Sequence, residues 1–283
     1  MKYIDTHAHL NLSNFSDDAL TVAKKCADEE VVVINVGTNA YTSTQAVALT
    51  EETDNCYAII GLHPTQAIPG ARDGDDVSST GTAEVFDTDF YQSLADNKKV
   101  VGVGECGFDY YQTSEGYTPK DSYARQEQAF IAQIAFANER NLPLMIHTRG
   151  PKPGKESPTG RSVYQDVYEV LKQYAKVPFN IHFYAGTCEE AARFFELGGT
   201  ISFTGVITFA KEYEVVVKNV PLERLHAETD CPFVAPIPFR GKRCEPWMVQ
   251  EVYKKIALIK GVPEEVVREQ LLTNARAQYS LSL

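Results

Sequence analysis

Eight short apolar runs recur along the whole of this chain, each followed by a longer amphipathic or polar stretch. They are Tyr3–His7, Val31–Val36, Tyr57–Leu62, Val100–Glu105, Leu144–His147, Phe179–His182, Thr200–Phe203 and Leu225–Asp230. Runs rich in β-branched residues and without polar alternation suit strands covered on both faces, as in a parallel sheet. The stretches between them carry helix signals. Phe130, Ile134 and Ala137 repeat at helical spacing, as do Val249, Val252, Ile256 and Ile259. Thr187 and Glu190 form a capping box for a helix over Glu189–Leu197 that stops at Gly198-Gly199. Pro263 suits the first turn of a final helix running to about Tyr279.

Eight strand–helix units in 283 residues fit a (β/α)8 TIM barrel, which takes about 250 residues as a single domain. One domain over residues 1–283 is therefore expected; a doubly wound open sheet is the alternative that periodicity leaves open. No Gly-x-Gly-x-x-Gly turn opens the first unit, which removes the main dinucleotide-binding reading. Two segments interrupt the rhythm, Pro69–Asp89 and Pro151–Arg161. Their Gly, Pro and small polar residues predict exposed loops, and both follow strands, so both should leave the barrel on the face where active sites lie.

Composition narrows the function classes. The formal net charge of −11 argues against a protein that coats nucleic acid through a broad basic surface. It leaves room for a nuclease, whose metal site needs carboxylates and only local positive charge. The acidity is uneven. Pro69–Asp89 sets six carboxylates against Arg72 alone, whereas Pro151–Arg161 sets Lys152, Lys155 and Arg161 against Glu156. The six Cys are scattered without a Cys-x-x-Cys pair, the N-terminus turns polar too early for a signal peptide, and no run reaches membrane-spanning length. A reduced, cytoplasmic protein without membrane association is expected.

The polar residues at the strand ends carry the chemistry. His7-Ala8-His9 closes the first run, and residues two apart in an extended chain share a face, so both imidazoles can converge on one ion. His63, Glu105, His147, His182 and Asp230 stand at the ends of later runs. One such histidine is ordinarily a hydrogen-bonded residue where strand meets loop; five of the six at such positions are not. The sixth, His226, lies early in its strand and reads as structural. A set of His with Glu and Asp suits Zn2+, Mn2+ or Mg2+, and is too large for one tetrahedral site. It suits two divalent ions about 4 Å apart that activate water against phosphate esters or amides.

Here the chain resembles the TatD family of metal-dependent deoxyribonucleases, within the amidohydrolase-like metallo-hydrolases. The matching segments are IDTHAHL (4–10), GLHP (61–64), VGVGECGFDYY (101–111), NLPLMIHTR (141–149), IHFYAGT (181–187), ISFTGVITF (201–209), AETDCPFVAP (227–236) and PFRGKRCEP (238–246). The resemblance implies that His7, His9 and Asp230 hold one ion, and that Glu105 bridges to a second held by His147 and His182. It further implies that Asp230 positions the attacking water or takes its proton, and that His63 meets the phosphate or leaving group. Arg240, Lys242 and, more weakly, Arg149 would contact phosphate. The implied activity is removal of nucleotides from the 3′ end of single-stranded or frayed DNA, by a protein expected to be a monomer.

Departures from the family pattern bear on substrate. Thr65 stands where many relatives have His, and Gly150 with its following insertion stands where many have an acidic residue. His182-Phe183-Tyr184-Ala185-Gly186 replaces the usual His-Cys-Phe-Ser-Gly. Hydrolysis of an amide, lactone or ester on the same barrel is the competing enzymatic reading, and a metal-loaded binding protein the non-enzymatic one. Cys106 and Cys231 adjoin Glu105 and Asp230 and should face the opposite way. The charge distribution predicts that DNA enters beside Lys152, Arg240 and Lys242, away from the acidic loop. The loops carry little aromatic stacking surface beyond Tyr110, Tyr111 and Phe239, which are the residues available to stack on a base.

Overall fold

In the run Val31–Val36 the structure buries all six residues, as a strand covered on both faces requires. The computed structural model describes residues 1–71, 81–112, 114 and 116–281. The strands are β1 (Tyr3–Ala8), β2 (Val31–Val36), β3 (Cys56–Ile60), β4 (Val100–Asp109), β5 (Leu144–Arg149), β6 (Phe179–Ile181), β7 (Thr200–Phe203) and β8 (Leu225–Ala227). Each pairs in parallel with the next, in sheet order 1 to 8. Ala8 bridges in parallel to Cys231, and the amides of His9 and Asp230 donate across the same seam to the carbonyls of Cys231 and His7, at 3.0 and 2.9 Å. The sheet is thus a nearly closed TIM barrel, and the open-sheet alternative falls away.

The helices among the described residues are α1 (Ala19–Asp28), α2 (Ala40–Glu52), α3 (Thr88–Ala95), α4 (Pro119–Arg140), α5 (Val163–Tyr174), α6 (Cys188–Glu196), α7 (Glu214–Asn219), α8 (Val249–Lys260) and α9 (Glu264–Tyr279). The capping box at α6 is present: Glu190 N donates to Thr187 Oγ1 at 3.2 Å, and Thr187 N to Glu190 Oε2 at 3.0 Å. Pro263 stands one residue earlier than expected, as the extended N-cap of α9 rather than within its first turn.

Alternation along the strands makes two cores. Outward-facing residues such as Val31, Val33, Ile146 and Ile181 pack with the helices. Inward-facing Ile4, Val32, Ile34, Ile59, Val101 and Met145 fill the barrel, together with Ala275 and Tyr279 of α9. Each fully buried Val or Ile contributes about 1.5–3 kcal/mol, so the lower barrel is a packed support for the strand ends above it.

The two interruptions differ. Part of the acidic segment, including Arg72, Asp73, Asp75 and Asp76, lies outside the described residues; its far end enters α3, capped by Asp87. Residues 151–161 carry no regular secondary structure and lead into α5. No helix among the described residues is long and apolar enough to cross a membrane.

Candidate metal centre

The seven side chains predicted from the strand ends meet in one cluster centred on Glu105, six of them directly and His63 from behind. His7, His9, Glu105, His147, His182 and Asp230 converge at the C-terminal end of the barrel. Glu105 is central: its Oε1 lies 2.7 Å from both His147 Nδ1 and His182 Nε2, and its Oε2 3.4 Å from His7 Nε2. Asp230 Oδ1 lies 3.3 Å from His9 Nε2 and 3.6 Å from His7 Nε2. His63 joins from behind, with Nε2 3.7 Å from Glu105 Oε1 and its side chain 1% exposed.

Local structure explains the convergence. Gly107 allows β4 to run tightly beside β5, because a Cβ there would stand 2.2 Å from the His147 carbonyl oxygen. That approach sets His147 between Glu105 and Asp109. Three expected strand ends are loop positions instead: β3 stops at Ile60, β6 at Ile181 and β8 at Ala227. Asp230 has left-handed backbone (φ 55°), a conformation that Asp tolerates better than most residues. The turn leaves its carboxylate over the His7–His9 pair.

The second layer fixes ring orientation. His9 Nδ1 lies 2.8 Å from the Val36 carbonyl oxygen, so it is the donor nitrogen and Nε2 presents a lone pair inward. Thr65 fixes the His63 ring through Nδ1, which lies 2.7 Å from Thr65 Oγ1 and 3.3 Å from the Thr65 amide. Asp109 and Glu228, neither singled out from the sequence, complete this layer. Asp109 Oδ2 lies 3.1 Å from His147 Nε2, while its Oδ1 accepts the amides of Tyr111 and Gln112 at 2.8 and 2.9 Å. Glu228 Oε1 accepts the Phe183 amide at 2.6 Å and lies 3.6 Å from His182 Nδ1. Alternation could have found both, since each sits in step with an assigned carboxylate, Glu105 or Asp230.

Burial dominates the electrostatics, opposed by the cluster's own charges. Burial raises Glu105, but the charges of His182 and His7 and hydrogen bonds from His147 and His182 hold it well below the usual carboxylate range. Burial lowers His147, but Asp109 and Glu105 outweigh it and bring it up to about 9. His182 is raised likewise by Glu105 against the effect of burial. Burial, with the charge of His182, takes His7 down to about 4. His9 is pulled down by burial yet raised on balance by hydrogen bonding and charge from Asp230.

The donor set fits divalent cations. His7 Nε2 and His9 Nε2 lie 3.0 Å apart, so both imidazoles can present a ring nitrogen to one ion. Groups able to hold an ion include His7–His9–Glu105 and Glu105–His147–His182. Cys106 and Cys231 face the outer core, and burial raises both thiols well above their usual range.

A cavity of about 790 Å3 opens over the cluster, with His9, Glu105, His147, His182 and Asp230 in its floor and Arg149 in its wall. Phe183, Phe233 and Val234 supply apolar lining. Arg240 and Lys242 do not line it. The Arg240 guanidinium lies 4.1 Å over the Phe209 ring and donates to the Ala235 carbonyl at 2.9 Å, and Lys242 is exposed near Phe239.

Compared with known proteins, residues 4–280 match the family model described as TatD related DNase. The metal-dependent hydrolase YabD of Bacillus subtilis is 34% identical, covering 98% of this chain and 99% of its own length. A 3′-5′ ssDNA/RNA exonuclease TatD of Pantoea ananatis is 28% identical over 98% of this chain and 99% of its own. Among solved structures, the Escherichia coli TatD homologue YjjV superposes with a TM-score of 0.79 at 25% identity, covering 99% of both chains.

Proposed function

The chain belongs to the family of TatD-related DNases and is a metal-dependent hydrolase, and we propose that it hydrolyses DNA phosphodiester bonds as a 3′–5′ exonuclease on single-stranded or frayed DNA. The observation that carries this reading is a single buried carboxylate, Glu105, ringed by His7, His63, His147 and His182 beneath an open cavity with Arg149 at its wall. A relative named as a 3′-5′ exonuclease, similar over 98% of this chain, supports the same reaction.

His7, His9 and Asp230 would hold one divalent cation and His147 and His182 a second, with Glu105 within reach of either group. Two such cations acidify water and offset the charge of a phosphodiester. Within this frame the protein's own groups have distinct tasks. Asp230, with its side chain 14% exposed at the cavity floor, orients the attacking water and accepts its proton. The Val36 carbonyl, Asp109 and Glu228 keep the rings of His9, His147 and His182 in the binding orientation. His63, whose Nε2 lies 3.7 Å from Glu105 Oε1, is the histidine that would meet the leaving oxygen. Arg149 is the inner phosphate contact. Arg240 and Lys242 meet phosphates further out along the strand.

Incubation of metal-defined protein with 3′- or 5′-labelled single- and double-stranded DNA, alongside a chelator control, tests the reading. Release of mononucleotides from the 3′ end, abolished by chelation, is the expected outcome. Absence of cleavage with Mg2+, Mn2+ and Zn2+ alike would overturn it.

A further inference from the structure

Beside the main cavity lies a second one, of about 660 Å3, formed where residues 151–161 pack against the β4–α4 connection and the first turns of α4. Pro151 lines both cavities, so they share a wall. The second is a built site rather than a gap beside a loose loop. Asp166, fully buried on α5, ties its two sides together: Tyr110 Oη donates to Asp166 Oδ2 at 2.8 Å, and Thr159 Oγ1 to the same atom at 2.5 Å. Arg161 adds an ion pair to Asp166 Oδ1 at 2.6 Å. Aromatic rings and cations alternate along the cavity, with Arg125 5.3 Å over the Tyr117 ring. At the shared wall, Arg149 and Lys152 both stand over the Tyr111 ring, at 4.3 and 5.0 Å. Further in, Tyr117 and Tyr123 present half-buried rings, and Lys155 and Glu156 are exposed at the rim.

We propose that this second cavity is a subsite for the nucleotide next to the one being cleaved. Its phosphate sits between Arg149 and Lys152 and its base lies against Tyr117 and Tyr123. The inference rests on the phosphodiesterase reading for its substrate and on the insertion for its geometry. The chemistry matches a single-stranded nucleic acid: a flexible polyanion needs cations at the crossing point, and a splayed base needs an aromatic face whatever its sequence. The net charge at the rim is positive, because Lys152 and Lys155 outnumber Glu156 there. A duplex end would have to fray to reach both cavities, since paired bases present no free face.

Binding of 5′-fluorescein-labelled phosphorothioate oligothymidylates, one to four nucleotides long, to the full manganese-loaded chain tests the subsite by fluorescence anisotropy. Affinity should rise on passing from one nucleotide to the longer probes. Tyr117→Ala should cut that gain about tenfold, as expected for one lost stacking contact, and Tyr117→Phe should restore it. Lys152→Ala should cut the gain and flatten the log–log salt dependence by about 0.7, the value for one phosphate contact on a single strand. If Tyr117→Ala and Lys152→Ala bind the four-nucleotide probe as tightly as wild type, or wild type shows no gain with length, the subsite is wrong. Wild-type protein that shows these affinities yet cleaves no phosphodiester would overturn the catalytic reading and leave the subsite standing.

Discussion

Asp109 reaches His147 from the side away from Glu105: its Oδ2 lies 3.1 Å from Nε2, while Glu105 Oε1 lies 2.7 Å from Nδ1. The two carboxylates hold the ring between them, so the nitrogen facing the cluster is Nδ1. Asp109 thereby sets the orientation of the His147 ring in the candidate metal centre.

Asp109→Asn isolates that role. The carboxamide keeps an oxygen for the amides of Tyr111 and Gln112, but turns a donor NH2 toward His147 Nε2. The ring must then flip, tilt or move its proton to Nδ1, where it blocks ligation. Loss of such a partner typically lowers metal affinity by about 10–100-fold. Competitive metal titration should show that loss while the folded circular dichroism signal is retained.

Glu105→Gln removes the one carboxylate shared by the whole cluster. The substitution preserves volume, so the barrel should fold, yet it leaves His147 and His182 without the charge that draws them together. Metal content measured by elemental analysis should fall by at least one ion per chain, and DNA cleavage by about 10³-fold or more, the scale of a lost electrostatic contact to the transition state. Cleavage at the wild-type rate would defeat the bridging role.

Arg149 and Arg240 should separate by their effects. Arg149 lines the cavity wall, whereas Arg240 is engaged by the Phe209 ring and the Ala235 carbonyl. Arg149→Ala should raise KM for a short oligonucleotide by about tenfold, in line with loss of a charged hydrogen bond of about 1.5 kcal/mol. Arg240→Ala should act chiefly on longer substrates. Steady-state kinetics on two- and ten-nucleotide substrates distinguish the pattern.

Strand starts were legible in the sequence because an apolar β-branched run has one use in a barrel of this length. Strand ends were not. β4 was expected to stop at Glu105 but continues to Asp109, because pairing with β5 persists through Asp109↔Arg149. β6 and β8 stop early, so His182 and Asp230 reach the site from turns, one followed by Phe183 at φ 46° and the other itself at φ 55°. Periodicity carries no information on such turns. The metal-site side chains could be picked out because their chemistry is distinctive. Arg240 was less legible because a basic residue after a strand can face the cavity or the outside, and only packing on Phe209 decides which.

His226 lies within the barrel as a structural residue whose protonation opposes folding in acid. The side chain is fully buried, neither ring nitrogen has a hydrogen-bond partner among the described residues, and the nearest ring is Tyr279, 5.9 Å away. Burial brings its pKa down to about 3 from an ordinary 6.5. In the unfolded chain His226 therefore takes up a proton as pH falls through 6.5, whereas the folded protein takes none there until about pH 3. The unfolded state gains, and stability is lost on acidification at about 1.4 kcal/mol per pH unit within that window. Denaturant unfolding at pH 7 and pH 5, with chelator present, should reveal this as a difference between wild type and His226→Leu. The metal-site groups titrate alike in both proteins and cancel, so wild type should lose about 2 kcal/mol more than the variant. Equal losses would mean that His226 is protonated, or hydrogen-bonded to water, inside the folded barrel.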